Sequence, residues 1–297
     1  RHICVVIPTY NNDKTIKAVV EKSLLYCDDV IVVADGCTDD TMDILHDIDK
    51  ITLVSYPQNK GKGYALKVGF RKALDKGFSY AITLDGDGQH YPENIPLFLK
   101  ANQKHPHALI VGSRQLDGVC RSKGSSFANK FSNFWFYVQT GKALDDTQTG
   151  YRLYPLHKLY GLLFLTSRYE AELELLVFAS WHGVKIVPIS VQVYYPPREE
   201  RVSHFRPTKD FVRISVLNTV LCFLAIVYGL PLRLWRFFTS CLQTVYSLLF
   251  FLFFTLVVFT PFVWIYTKVG KMTEKKRYRL HQLIYFASRF VMIHHGI

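Results

Sequence analysis

YAITLDGDGQH, residues 80–90, is a short apolar run that stops on two aspartates one residue apart, each followed by a glycine. Residues 80–84 are too few for a helix and suit a buried strand, while the Asp-Gly pairs mark a turn. The same arrangement occurs twice upstream. Residues 3–7 run into Pro8-Thr9-Tyr10-Asn11-Asn12, and residues 30–34 run into Asp35-Gly36-Cys37-Thr38-Asp39-Asp40. Further strand-like runs lie at 51–56 and 108–111, with helix-like stretches near 13–25, 39–48, 63–76 and 92–104. Alternating strands and helices with buried strands predict an α/β fold, a mainly parallel sheet with helices on both faces. Such sheets bind ligands outside the carboxyl ends of their strands. Each polar turn alone could be a reverse turn or a helix cap, but three on one rim point to a shared site.

Asp85 and Asp87, on a glycine-relaxed turn, can aim oxygens at one hard divalent cation, and Gln89 can add another. Mg2+ or Mn2+ prefers such ligands and commonly bridges to substrate phosphates. Gly61-Lys62-Gly63 is too short for a phosphate-cradling loop, so a diphosphate here would be held through metal and side chains.

The 297 residues are 49% hydrophobic, which excludes a disordered, collagen-like or coiled-coil chain. The net charge of +12 invites a nucleic-acid reading, but its distribution argues otherwise. Residues 1–100 hold 12 basic against 14 acidic side chains, whereas residues 211–297 hold 10 against 1. That end also contains residues 237–266, 30 positions without a charge and ample for a membrane span. A second uncharged run, 214–232, is a weaker span candidate, its alternative being an amphipathic interfacial helix. If both cross, Arg233 and Arg236 form a tight turn between them. The basic residues from Lys268 to Arg289 then place the N-terminal domain on the cytoplasmic face of a multi-pass protein. The basic excess suits anionic lipid better than nucleic acid. The six cysteines show no metal-binding spacing and read as reduced packing residues.

Four segments follow: a catalytic domain at 1–195, a juxtamembrane linker at 196–213, a two-helix transmembrane hairpin at 214–266, and a basic amphipathic cytoplasmic segment at 267–297. The last is expected to lead into a further domain of a longer chain.

The polar turns resemble those of the family 2 inverting glycosyltransferases with the GT-A fold. Pro8-Thr9-Tyr10-Asn11-Asn12 resembles the family's P-x-Y-N-E opening, with Asn12 in place of the acid. Ala34-Asp35-Gly36-Cys37-Thr38-Asp39 resembles D-D-G-S-T-D, with Ala34 and Cys37 as departures. Residues 59–66 resemble N-x-G-K-G-x-A-L. The 85–90 turn is similar to the D-x-D-x-Q-H motif of polyprenyl-phosphate mannose or glucose synthases, and the match extends through Gly112-Ser113-Arg114, residues 146–152 and residues 170–176.

The resemblance implies a nucleotide-sugar site made by Pro8, Tyr10, Asp35, Asp39, Lys62 and Asp85. It implies a metal held by Asp85, Asp87 and Gln89, and Arg114, Lys130 and Arg152 facing the acceptor. Catalysis would then rest on Asp85, Asp87, Arg114 and Arg152. Ser203-His204 stands where these synthases carry Ser-Lys near the bilayer and would also face the acceptor. A lipid phosphate is already anionic and needs no general base. A hydroxyl of a glycolipid or lipid intermediate would need one, for which Asp146 and Glu170 are candidates. The leading expectation is a membrane-anchored enzyme moving sugar from a nucleotide sugar to polyprenyl phosphate. The alternatives are a hydroxyl acceptor and a non-catalytic nucleotide-sugar-binding anchor.

Overall fold

The computed structural model describes residues 2–114, 123–159, 161, 166–194, 207–269 and 272–294. By their contacts the residues form two compact units, Arg1–Leu230 and Pro231–Ile297.

The first unit is built on seven strands, β1 (Ile3–Thr9), β2 (Val30–Asp35), β3 (Ile51–Tyr56), β4 (Tyr80–Thr83), β5 (Leu109–Arg114), β6 (Arg152–Pro155) and β7 (Ile186–Val191). They form one sheet in the order β3-β2-β1-β4-β6-β5-β7. All neighbours are parallel except β6, which runs antiparallel to both β4 and β5. The five expected strands are present, within three residues at each end. β6 and β7 complete the expected mainly parallel sheet.

Around the sheet lie α1 (Ile16–Leu24), α2 (Thr41–His46), α3 (Lys62–Asp75), α4 (Ile95–Lys104), α5 (Lys123–Thr140), α6 (Leu156–Leu159) and α7 (Glu170–Trp181). Alternate strand residues point to opposite faces. Val5, Ile7 and Val32 join Ile16 and Val20 of α1 and Phe98 of α4 in one core. On the other face α3 packs on β1 and β2 so closely that a Cβ at Gly69 would lie 2.5 Å from Val6. Cover on both faces is why the strands read as unbroken apolar runs rather than alternating ones.

The first unit ends in α8 (Pro207–Leu224) and a π-helical stretch, Ala225–Gly229. Leu217, Asn218 and Leu221 are buried. Gln139 Nε2 donates to the Asn218 carbonyl and side-chain oxygens at 3.3 and 3.1 Å, and Trp181 Nε1 donates to the Gln139 carbonyl at 2.9 Å. Gly229 sits where a Cβ would meet the Trp181 ring at 2.8 Å. Most of the 214–232 run therefore packs on the sheet unit.

The second unit holds α9 (Leu230–Phe253), which begins one residue earlier, a π-helical stretch at Phe254–Phe259, α10 (Thr260–Lys268) and α11 (Glu274–His294). The tight turn expected at Arg233 and Arg236 is not found, because both lie inside α9. The neighbouring Leu, Trp and Phe residues all tolerate helix, and Arg236 Nε donates to the Leu232 carbonyl at 3.4 Å. Pro231 and Pro261 each follow a π-helical stretch, the kind of widening that absorbs a missing backbone N–H. Among the described residues one helical segment, Val212–Lys268, is long and apolar enough to cross a membrane, with a mean hydropathy of 2.5 in its apolar window.

Candidate active site

The three polar turns meet at one rim because β2, β1 and β4 are adjacent and parallel. Side chains stitch them together. Asn11, in a left-handed conformation that Asn tolerates, donates from Nδ2 to Thr38 Oγ1 at 3.1 Å and accepts the Thr38 N–H at 2.9 Å. Asp39 accepts the backbone N–H of Asp13 at 3.2 Å and of Thr41 at 3.1 Å. Asn12, which replaces an acid in the family pattern, is buried and donates from Nδ2 to Thr9 Oγ1 at 2.9 Å. Thr15 Oγ1 donates to the Gly86 carbonyl at 2.6 Å, tying in the third turn. Pro8 is buried in β1, and Tyr10 stands half-buried just past it. Asp35 receives the backbone N–H groups of Lys60 at 2.7 Å and Gly61 at 2.8 Å, one on each oxygen. Asp35 and Asp39 thus shape the rim.

At its centre Lys62, the first residue of α3, is shared by two carboxylates. Its Nζ lies 2.6 Å from Asp85 Oδ1 and 3.0 Å from Glu172 Oε2, the latter from the first turn of α7. Burial opposes the lysine's charge, but Asp85 and then Glu172 outweigh it and its pKa is raised. Burial likewise opposes the charge of Asp85, yet the Lys62 ammonium holds that carboxyl below its ordinary value. Burial raises Glu172 by more than Lys62 and Arg152 lower it. Glu172 Oε1 is buried without a hydrogen-bond partner. Gly150 faces the cluster: a Cβ there would lie 2.6 Å from Lys62 Nζ and 2.9 Å from Asp85 Oδ2.

Asp87 accepts the Gln89 backbone N–H at 3.0 Å, and burial followed by the charge of Asp85 pushes its carboxyl up to about 6. His90 is buried, with Nδ1 3.3 Å from the Asp85 backbone N–H and its ring against Tyr151. Burial pushes His90 down to about 4, against the pull of Asp85, so it is neutral near pH 7.

On the acceptor side of the expected site, Arg114 at the end of β5 grips Asp146 through Nε at 2.6 Å and Nη2 at 2.8 Å. α5 holds the loop bearing Asp146, with Asn129 and Asn133 donating to the Asp145 carbonyl at 3.1 and 2.6 Å. Lys130 is exposed on the same helix. The Arg152 side chain is fully buried and donates to the Glu172 and Thr147 carbonyls at 2.6 and 2.8 Å, bracing α7 and the Asp146 loop. Glu170 is buried at the start of α7. Ser203 and His204 lie outside the described residues.

Among the described residues no group of three or more His, Cys, Asp or Glu is arranged to hold a metal ion. The oxygen set of Asp85, Asp87 and Gln89 still suits a hard cation: all three are half-buried on one turn, and the mutual repulsion of the two carboxylates is what such an ion would relieve.

The residue that sequence reasoning missed is Glu172. Its signal was present, since acids at 170, 172 and 174 cannot share one solvated helix face: the middle one lies about 200° from the others at 100° per residue.

Residues 4–152 match the glycosyl transferase family 2 domain, and the chain belongs to that family. It is a glycosyltransferase. A UDP-N-acetylglucosamine–dolichyl-phosphate N-acetylglucosaminyltransferase of Methanococcus voltae is 28% identical over 216 residues, covering 65% of this chain and 86% of the relative. A polyprenol monophosphomannose synthase of Mycolicibacterium smegmatis is 31% identical over 164 residues, 50% of this chain and 60% of that one. The GT-A fold is also that of glucosyl-3-phosphoglycerate synthase of Mycobacterium tuberculosis, solved with Mn2+, UDP and phosphoglyceric acid. There the TM-score is 0.56 at 21% identity, covering 76% of this chain and 78% of the other.

Proposed function

We propose that the protein moves a sugar from a nucleotide-diphosphate sugar to the phosphate of a polyprenyl lipid at a membrane surface. The names of both relatives point this way, one specifying UDP-N-acetylglucosamine and dolichyl phosphate, the other a polyprenol monophosphomannose product. A phosphate oxygen attacks the sugar C1 as the bond from C1 to the diphosphate breaks, and the nucleoside diphosphate leaves with the electron pair. One such displacement inverts C1. The observation that carries the choice of acceptor is the state of Asp146, whose two oxygens are both taken by Arg114. An anionic phosphate needs no base, and an aspartate already committed to an arginine is a poor one.

Asp85, Asp87 and Gln89 would hold Mg2+ or Mn2+, which supplies positive charge for the leaving diphosphate. Lys62, with Pro8, Tyr10, Asp35 and Asp39 forming the surrounding rim, serves the donor side. Arg114 and Lys130 serve the acceptor side, with Asp146 orienting Arg114. Residues within 237–266 anchor the protein, and the basic residues from Lys268 to Arg289 favour a cytoplasmic catalytic unit.

If Asp146 is a positioning residue, Asp146→Asn reproduces Arg114→Ala: the acceptor KM rises several-fold and the shape of the pH profile is kept. A loss of about 10² to 10⁴ in kcat together with the acidic limb would make Asp146 the base and reverse the reading. A hydroxyl acceptor is the second reading, favoured by the buried, unpartnered Oε1 of Glu172 and its raised pKa. Glu172→Gln would then carry the loss of the acidic limb.

A further inference from the structure

Lys62 stands between two acids from different elements, with Nζ 2.6 Å from Asp85 Oδ1 and 3.0 Å from Glu172 Oε2. Asp85 is also one of the three residues whose oxygens suit a divalent cation. One carboxylate therefore has two claimants. The Lys62 and Asp85 side chains are only 14 and 24% exposed, so little water screens the repulsion between an ammonium and a divalent ion drawn to the same carboxylate. The backbone bearing the lysine is fixed, because Gly61 donates its N–H to Asp35 at 2.8 Å and Tyr64 donates to the Ser167 carbonyl at 2.9 Å. Any adjustment falls to the side chain, and the cluster provides for one. Glu172 Oε1 is buried without a hydrogen-bond partner, so it can accept a second N–H from the same ammonium. Gly150 keeps the space among the three groups clear, since a Cβ there would lie 2.6 Å from Lys62 Nζ, 2.9 Å from Asp85 Oδ2 and 3.1 Å from Glu172 Oε1.

We infer that Lys62 competes with the divalent cation for Asp85 and thereby couples metal binding to donor binding. The cation alone binds weakly, because it must share Asp85 with the ammonium. A nucleoside diphosphate attracts the ammonium to its phosphates, away from Asp85, and the cation then binds tightly. Glu172 keeps the ammonium within reach of both positions, which makes it a positioning residue for Lys62. The consequence for the reaction is order: metal and donor enter as a pair, and two cations meet the diphosphate that has to leave. By linkage, the nucleotide tightens the metal by the same factor as the metal tightens the nucleotide. The inference rests on the metal site proposed above at Asp85, Asp87 and Gln89, and it assigns control of that site to a residue outside it.

The test measures Mn2+ binding to the full chain in phosphatidylcholine vesicles by electron paramagnetic resonance of the free ion. Titrations are run with and without UDP or GDP, the metal–nucleotide complex in solution being subtracted. Lys62→Met alone changes the charge of the cluster, so the informative variant pairs it with Glu172→Gln, which keeps the formal charge. That double variant is expected to bind Mn2+ alone at least about fivefold more tightly than the wild type, and its gain in Mn2+ affinity on adding nucleotide should shrink by a similar factor. Glu172→Gln by itself keeps the ammonium but leaves it to Asp85, so it should act in the opposite sense, weakening Mn2+ alone and enlarging the gain. Equal affinity and equal gain in the wild type and the double variant, or an unchanged gain in Glu172→Gln, would overturn the inference. Failure of the wild type to bind Mn2+ with either nucleotide, or undiminished binding in Asp87→Asn, would instead remove the metal site itself, and the inference with it.

Discussion

One ammonium at Lys62 serves two carboxylates that come from different elements, so removing it leaves Asp85 and Glu172 facing each other without a counter-charge. Breaking a buried pair from one side costs more than the pair contributes. Lys62→Met is expected to destabilise the protein by about 3 kcal/mol, read as a fall in apparent Tm, and pairing it with Glu172→Gln should restore part of the loss. An unchanged Tm in Lys62→Met would mean that the ammonium is not held between the acids. His90 yields a pH dependence. Its value of about 4 in the folded protein lies below the roughly 6.5 of a free histidine, so the unfolded chain takes up the proton first as pH falls. Its contribution is complete above about pH 6.5 and declines toward pH 4, by at most about 3 kcal/mol. The Tm of the wild type should therefore drop more steeply between pH 6.5 and 4.5 than that of His90→Gln. Parallel slopes would show that His90 does not titrate in this way.

The pairing of α3 with α7 puts Lys62 and Glu172 in contact. A Cβ at Gly63 would lie 2.4 Å from Ala171 Cβ and 2.9 Å from the Arg168 carbonyl oxygen, so only glycine allows the two helix starts to approach this closely. Gly63→Ala should push them apart, cost about 1–3 kcal/mol as overpacking and lower kcat while the far side of the sheet stays intact. Wild-type turnover would show that the approach is not needed. This contact was not legible in the sequence. Strand ends were, because buried parallel strands leave unbroken apolar runs and their turns carry Asp, Asn and Gly. β6 was missed because Arg152 at its start and Pro155 at its end disguise a buried strand. The local pattern could not show that Arg152 reaches buried carbonyl groups. The turn at Arg233 was over-read for the opposite reason: charges interrupt an apolar run without interrupting a helix.

For the molecule as a whole, the sheet and its rim gather Lys62 with Asp85 and Arg114 with Asp146, on a unit whose chain goes on into a segment apolar enough to enter a bilayer. The 214–232 run illustrates the limit of composition. Its hydropathy is that of a span, but Asn218, Gly229 and their partners Gln139 and Trp181 commit it to the catalytic unit, a distinction carried by residues 79 and 48 positions apart. The proposed reaction is transfer to a lipid phosphate. Its most direct measurement is mass spectrometry of the products after the full-length protein, in vesicles with Mg2+ or Mn2+, meets a panel of nucleotide sugars with polyprenyl phosphate or the matching polyprenol. A glycosyl phosphate ester formed only from polyprenyl phosphate is the predicted product. Sugar transferred to the polyprenol hydroxyl, or to another lipid hydroxyl while polyprenyl phosphate stays unmodified, would contradict the account.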